Sequence, residues 1–226
     1  MFKKLFAILL IVTCVFSSTA FADAKLKATE KNLIVFEGKN NGYFFAKIEN
    51  IGDAPTSMTS SDLVLFSEDD EIILTDGYIT TTPSGVVINP GEYLYVREWL
   101  YDSKLETTKV ADYKFSAKMR DSSSTLSKLD CEVKLDLHGV DSFNNHAYVT
   151  FTNTSSQSID DFYVVIAMHD AENTLLYVDS TSYSSITVHP NSTLTIELSI
   201  DNDCLKYYAL HNLIIESIDA MVCYKK

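Results

Sequence analysis

The two halves of the chain repeat each other. Four short blocks recur in the same order roughly 100 residues apart, which chance would rarely preserve. The aligned pairs are 46–52 with 149–155, 63–70 with 164–171, 88–96 with 188–196, and 115–119 with 218–222. This duplication predicts that the chain folds as two similar units in tandem rather than as a single undivided body.

The repeated blocks alternate between apolar and polar residues, which indicates β-strands with one buried face. In the first repeat, Phe44, Ala46 and Ile48 share one side of such a strand. Short strands in units of about 100 residues are typical of a two-sheet, immunoglobulin-like sandwich. We therefore predict an all-β fold of two tandem immunoglobulin-like β-sandwiches. The boundaries are residues 23–120 for the first domain, 121–129 for a solvated linker and 130–226 for the second domain.

A segment without alternation precedes the last strand of each repeat and predicts a short helix there. In the first repeat, Ser103 and Glu106 have the spacing of a capping box, in which each side chain satisfies a backbone group at the helix start. In the second repeat, Asp203 stands near the expected start, and Asn212 is a residue type that often follows a helix end.

Residues 1–22 have the composition of a secretory signal peptide. Two lysines precede an apolar run at residues 5–16, and small residues flank Phe21 at the expected cleavage site. The run is too short to span a bilayer and no later stretch is apolar enough, so we predict a secreted, extracellular bacterial protein without a transmembrane segment. A lipoprotein anchored at Cys14 is the alternative, which residues 11–13 disfavour because they lack the small residue expected before the cysteine.

The formal net charge of −13 argues against nucleic acid as a partner, since attraction to phosphates needs a positive surface. The sequence contains no nucleophile elbow, no phosphate-binding glycine-rich loop and no zinc-ligand spacing. We therefore expect neither an enzyme nor a metal or cofactor. Asp69, Asp70 and Asp170 leave a carboxylate-dependent hydrolase open as an alternative, which would need two acids to converge in a cleft.

Three cysteines, Cys131, Cys204 and Cys223, lie in the second repeat. Export to an oxidising compartment permits a disulfide between two of them, and the sequence does not distinguish the three pairings. Three reduced thiols are the other alternative.

Each repeat also carries a strand that runs into an acidic turn, after a strand ending in Asn and before a strand that follows a proline. The two segments read Phe66-Ser67-Glu68-Asp69-Asp70 and Met168-His169-Asp170-Ala171-Glu172-Asn173. This arrangement resembles the FxLYD-type immunoglobulin-like domains of secreted bacterial proteins, and the resemblance covers both repeats. It implies an extracellular module and carries over no catalytic residues.

One strand of the first repeat is rich in aromatic residues. The candidate ligand-binding residues on one side of it are Tyr93, Tyr95, Arg97 and Trp99, extended by Tyr43 and Phe45. The matching positions of the second repeat are polar. Exposed rings are suited to stacking on sugars or anchoring a protein, so we predict a non-enzymatic binding module that recognises a protein or glycan, with Arg97 as a directional donor.

Two alternatives to this binding surface remain open. In the first, the aromatic side of the strand is covered by residues 25–34, by the short helix or by the second domain. In the second, the protein is a structural or assembly subunit that donates a sheet edge to a neighbour.

Overall fold

The structure, a computed structural model that describes residues 23–225, consists mainly of antiparallel β-strands, which confirms the all-β prediction. The predicted signal peptide lies outside the described residues. The strands are β1 (Leu26–Val35), β2 (Asn41–Asn50), β3 (Ser57–Met58), β4 (Ser61–Phe66), β5 (Ile72–Ile79), β6 (Tyr93–Tyr101), β7 (Asp112–Ser116), β8 (Met119–Arg120), β9 (Leu126–Leu129), β10 (Cys131–Asp136), β11 (His146–Thr152), β12 (Phe162–His169), β13 (Leu175–Tyr183), β14 (Thr193–Ser199) and β15 (Ser217–Lys225). The helices are α1 (Lys104–Thr107) and α2 (Asn202–Leu210).

The two halves of the chain pair their strands in the same order. In the first repeat the sheets are β1-β2-β6 and β5-β4-β7, and in the second they are β10-β11-β14 and β13-β12-β15-β9. A small β3-β8 sheet is added to the first repeat. Helix α1 precedes β7 and helix α2 precedes β15, as predicted.

Buried Asn50 and Asn153 make the same hydrogen bonds in the two repeats. Asn50 Nδ2 donates to the carbonyls of Ala54 and Ile88, both at 2.8 Å, and its Oδ1 accepts from Gly52 N. Asn153 Nδ2 donates to the carbonyls of Gln157 and Val188, both at 2.8 Å, and its Oδ1 accepts from Ser155 N. These contacts explain the Asn at the end of each repeated strand, because one side chain joins the turn after the strand to a later segment of the same repeat.

The turn after β4 corrects our alignment of the second block. Ser67 Oγ accepts from two amides of its turn, and Asp170 Oδ1 does the same in the second repeat. Asp70 and Asn173, three residues further on, both have a φ of 61°. Ser67 is therefore equivalent to Asp170 and not to Met168, a shift of two residues. A shift of two keeps every side chain on the same face of a strand, which is why alternation alone did not detect it.

The predicted capping box at α1 is wrong. Ser103 has helical dihedral angles and makes no side-chain cap, whereas Asp102 Oδ1 accepts from Lys104 N at 2.8 Å. At α2 the N-cap is Asp201, whose Oδ1 accepts from Asp203 N at 2.7 Å. Asn212 follows α2 with a φ of 55°, as expected of a residue that ends a helix.

Part of the predicted linker is ordered secondary structure. Strand β9 pairs with β15, so residues 126–129 extend a sheet of the second repeat. Before it, Ser122 Oγ donates to the carbonyl of Gly85, and Val87 N donates to the carbonyl of Ser124, both at 2.8 Å. The segment between the repeats is thus bonded to both of them, and its small polar residues serve as hydrogen-bonding partners.

The buried side chains form one continuous hydrophobic cluster that includes both repeats. Within the first repeat, Phe44 of β2 packs on Tyr113 and Phe115 of β7, which joins the two sheets. Within the second, Phe151 of β11 packs on Phe162 of β12. The centre of the outer side of the β1-β2-β6 sheet is buried as well, because β13 of the second repeat packs against it.

Candidate functional site

The structure brings the predicted binding residues together on one side of the β1-β2-β6 sheet. Cross-strand neighbours pair Tyr43 with Trp99 and Phe45 with Arg97, and Tyr95 and Tyr93 continue the same side of β6. We call this surface the aromatic face; its members are Tyr43, Phe45, Tyr93, Tyr95, Arg97, Trp99 and Tyr101.

The centre of the aromatic face is covered by the second repeat. Phe45 is fully buried, and its ring meets Tyr177 of β13 edge-on with 5.5 Å between centroids. Tyr43 stacks on Phe45 at 5.5 Å and is also buried, as is Tyr95. For these three rings, the structure therefore matches the alternative in which the aromatic side of the strand is covered.

Arg97 is held by groups of both repeats. Its Nε lies 3.3 Å from Asp179 Oδ1, its Nη2 donates to Tyr43 Oη at 3.3 Å, and its guanidinium carbon is 4.8 Å from the centre of the Tyr43 ring. The Tyr43 hydroxyl donates in turn to Asp201 Oδ2 at 2.8 Å. The directional donor predicted from the sequence is thus bonded mainly within the protein.

Burial controls the protonation of these groups. It raises the pKa of Asp179, an effect that the nearby charge of Arg97 opposes. Burial also raises the pKa of the Tyr43 hydroxyl, and Asp201 raises it further because a phenolate beside a carboxylate is disfavoured. The phenol therefore stays protonated and can donate to Asp201.

A second polar group crosses the contact between the repeats on the same side of the sheet, at the other edge strand β1. Buried His169 of β12 places Nε2 3.0 Å from Glu30 Oε2, and Glu30 Oε1 accepts from Lys47 Nζ at 2.8 Å. The other imidazole nitrogen, Nδ1, is 3.8 Å from Asp219 Oδ2. Asn32 Nδ2 adds a hydrogen bond to the carbonyl of Leu176 at 3.1 Å. The repeats are therefore joined by apolar contacts and specific polar bonds together.

The far end of the aromatic face is open to solvent. Trp99 is 58% exposed and Tyr101 is 66% exposed, on the same side of the edge strand β6. The Tyr101 hydroxyl accepts from Asn40 Nδ2 at 3.2 Å, which restricts the ring. At the other end Tyr93 is half-buried, with the ammonium groups of Lys47 and Lys128 4.5 and 5.5 Å from its ring centre. A ligand that approaches this face can therefore reach Trp99 and Tyr101 most readily.

Sequence reasoning missed the residues that hold the aromatic face from the other side: Tyr177, Asp179, Asp201 and His169. The only signal was an acid, Asp179, directly after the four apolar residues that begin its strand. Its partner belongs to the other repeat, and alternation within one strand carries no information about such a contact.

The carboxylates considered for hydrolysis lie in two turns. Asp69 and Asp70 are exposed in the turn after β4, and Asp170 caps the equivalent turn after β12 with its Oδ1 bonded to two backbone amides. Among residues 23–225 no cluster of three metal-binding side chains occurs. Within the same range, neither helix has the length and apolar character needed to cross a bilayer.

All three cysteines of the second repeat are free thiols in the structure. Burial raises the pKa of each, for Cys223 to about 12. Cys131 is half-buried and lies 3.5 Å from the carbonyl oxygen of Ala220.

No protein-family model matches the chain, and no curated protein matches it. The resemblance to FxLYD-type domains therefore remains a prediction from the residues.

Proposed function

We propose that the chain is an exported, non-enzymatic binding protein made of two immunoglobulin-like β-sandwiches of the FxLYD type, and that it binds a surface glycan through Trp99 and Tyr101. The observation that carries the proposal is the exposure of both rings on one side of an edge strand. A protein partner is the other outcome that the experiment below distinguishes.

The rest of the aromatic face supports this role by holding β6 in place. Tyr43, the strand neighbour of Trp99, is fixed by Arg97 and Asp201. The exposed rings therefore project from a rigid strand, so little conformational entropy is lost when they contact a ligand. Such preorganisation favours binding by a small surface.

A glycan fits the chemistry next to these rings. Sugars present C–H faces that pack on aromatic rings, and hydroxyl groups that need charged or amide partners. Arg97 and Asp179 keep part of their side chains exposed, at 30% and 18%, and lie on the side of the sheet from which Trp99 projects. The net charge of −13 disfavours an anionic polymer, so a neutral glycan is the expected class.

The sequence of residues 1–22 supports export, and the position of the acids in the two turns supports a role without catalysis. A hydrolase would need two of those acids at one cleft. Asp69 and Asp70 are instead exposed together in one turn, and Asp170 caps the equivalent turn of the other repeat.

The single tryptophan of the chain makes the test direct, since Trp99 is the only indole fluorophore. We expect its emission to shift on titration with at least one of a panel of soluble neutral hexasaccharides of glucose, mannose or N-acetylglucosamine. Tyr101→Ala should weaken that binding at least about tenfold, a loss of about 1.4 kcal/mol, because it removes half of the stacking surface.

Tyr78→Ala is the matched control, because Tyr78 is 85% exposed on β5 of the other sheet. It should leave the titration unchanged. Calorimetry with Trp99→Ala provides a measurement independent of fluorescence, and we expect no heat of binding. If no saccharide of the panel gives a response, the glycan proposal fails and a protein partner takes its place.

A further inference from the structure

The second repeat holds the aromatic face with a small set of groups that we call the acceptor surface. Its members are His169, Leu175, Tyr177, Asp179 and Asp201. The two carboxylates bind Arg97 and Tyr43, while Leu175 and Tyr177 supply buried apolar area. The surface thus recognises a sheet face that carries a cation and a phenol among aromatic rings.

The first repeat contains the same surface at equivalent positions. Leu63 pairs with Asp76 as Ile166 pairs with Asp179, and Phe66 pairs with Ile72 as His169 pairs with Leu175. Asp102 caps α1 as Asp201 caps α2. The equivalent set, which we call the first-repeat surface, is Phe66, Ile72, Leu74, Asp76 and Asp102.

The two surfaces differ in what covers them. Leu175, the strand partner of His169 that meets Glu30 of the first repeat, is 1% exposed, whereas its equivalent Ile72 is 55% exposed. Tyr78, two residues beyond Asp76 on β5, is also open to solvent. Ile72 and Tyr78 are therefore uncovered within residues 23–225, whereas Leu74 is buried and the Lys114 ammonium lies 4.9 Å from the ring centre of Phe66.

The carboxylates of the first-repeat surface also lack an ion-pair partner. Lys104 reaches this surface, but its Nζ donates to the carbonyl of Ile72 at 3.2 Å. Within the described chain no lysine or arginine lies in salt-bridge distance of Asp76 or Asp102, although Asp179 has Arg97. Glu98 adds a third carboxylate where the second repeat has Leu198. Burial and the charge of Asp76 raise the pKa of Glu98 to about 6, so the local excess of negative charge is already costly.

We propose that the first-repeat surface is a docking site for a separate protein domain whose β-sheet face carries an arginine flanked by aromatic rings. The occupant is defined by charge complementarity and by what the equivalent surface of the second repeat binds. The proposal concerns β5 and not the exposed end of β6, so it does not depend on glycan binding by Trp99.

A second copy of the chain does not fit this role. Its own aromatic face is occupied, and the equivalent face of its second repeat has Glu197 where the first has Arg97, and His146 where the first has Tyr43. Glu197 would bring another carboxylate against Asp76 and Asp102, which is repulsive. The wild-type chain should therefore remain monomeric.

These differences between the two sheets provide a test of the proposal. The substitutions Glu197→Arg, His146→Tyr, Tyr148→Phe and Thr195→Tyr copy the aromatic face onto the free sheet of the second repeat. We expect this variant to self-associate in sedimentation equilibrium at concentrations where the wild type stays monomeric. Adding Ile72→Asp should weaken the association at least about tenfold, as should adding Asp76→Asn together with Asp102→Asn.

The asparagine variants keep the oxygens that accept from Tyr78 N and Lys104 N, so they remove charge without removing the turn or the cap. Circular dichroism and thermal unfolding establish that each variant is folded. A folded four-substitution variant that stays monomeric overturns the proposal, as does association that Ile72→Asp leaves unchanged. Association of the wild type through Ile72 would overturn the choice of occupant.

Discussion

Arg97 of the first repeat and Asp179 of the second form the central ion pair between the repeats, with 3.3 Å between Nε and Oδ1. The pair is largely removed from water, and the Tyr43 ring covers the guanidinium. Substituting only one member of such an ion pair is costly, because the remaining charge stays desolvated.

We expect Arg97→Met to destabilise the protein by about 2–3 kcal/mol, since it leaves Asp179 without its cation. Asp179→Asn should cost less, and the double variant should cost clearly less than the two single losses together. Urea unfolding of all four proteins measures the coupling. Additive losses, within about 0.5 kcal/mol, would contradict this prediction.

The matched control for these substitutions is the exposed pair of Lys109 and Glu68. Its charged atoms are 2.9 Å apart, and the two side chains are 80% and 65% exposed. Lys109→Met should leave the stability nearly unchanged, because solvent already screens the pair.

Asn50→Ala and Asn153→Ala should each destabilise the protein by about 2–4 kcal/mol, since each leaves buried backbone carbonyls unpaired. The two losses should be similar because the hydrogen bonds are equivalent. Urea unfolding again provides the measurement. Exposed Asn144→Ala is the control, and a loss as large as that of Asn153→Ala would refute the role of the buried amides.

Glu98 should make the protein less stable as the pH rises through about 6. Its pKa is higher in the folded protein than the ordinary value of 4.5, so its protonated form favours folding, and this advantage is lost between those two values as pH increases. Glu98→Gln should therefore stabilise the protein by about 1 kcal/mol at pH 8, after allowance for solvent screening at this half-buried site.

At pH 4 the same substitution should have little effect, because a protonated glutamic acid and a glutamine are both neutral. Thermal unfolding of both proteins across this pH range tests the prediction. An equal gain at both pH values would show that the effect is not one of ionisation.

The buried thiols should react slowly. At pH 8, we expect iodoacetamide to modify half-buried Cys131 first, and Cys204 and Cys223 only after unfolding, because burial keeps them protonated and inaccessible. Peptide mass spectrometry over time measures the order. A disulfide-linked peptide in a non-reducing digest would contradict the free-thiol structure.

The strand pattern was readable from the sequence because alternation reports which side of a strand is buried. Phe44, Ala46 and Ile48 are buried as expected, and the repeated Asn residues mark equivalent turns. Alternation could not set the alignment of Ser67 with Asp170, since a shift of two residues leaves the pattern unchanged.

The cap of α1 was misassigned for a related reason. Asp102 and Ser103 are both good capping residues, and which one accepts from the helix depends on the backbone angles at the end of β6. The local sequence is compatible with either capping residue, and the packing of β6 determines that Asp102 is used.

The sequence by itself determined the strands, the duplication and the side of β6 on which its aromatic residues gather, because each is a property of neighbours along the chain. Only the tertiary structure decided that Phe45 and Tyr95 are buried while Trp99 is exposed, and that Ile72 is open while Leu175 is covered. Those outcomes depend on where one repeat packs on the other. That placement arises from contacts between residues distant in sequence, such as Arg97 with Asp179. The alternating pattern along one strand carries no information about such contacts.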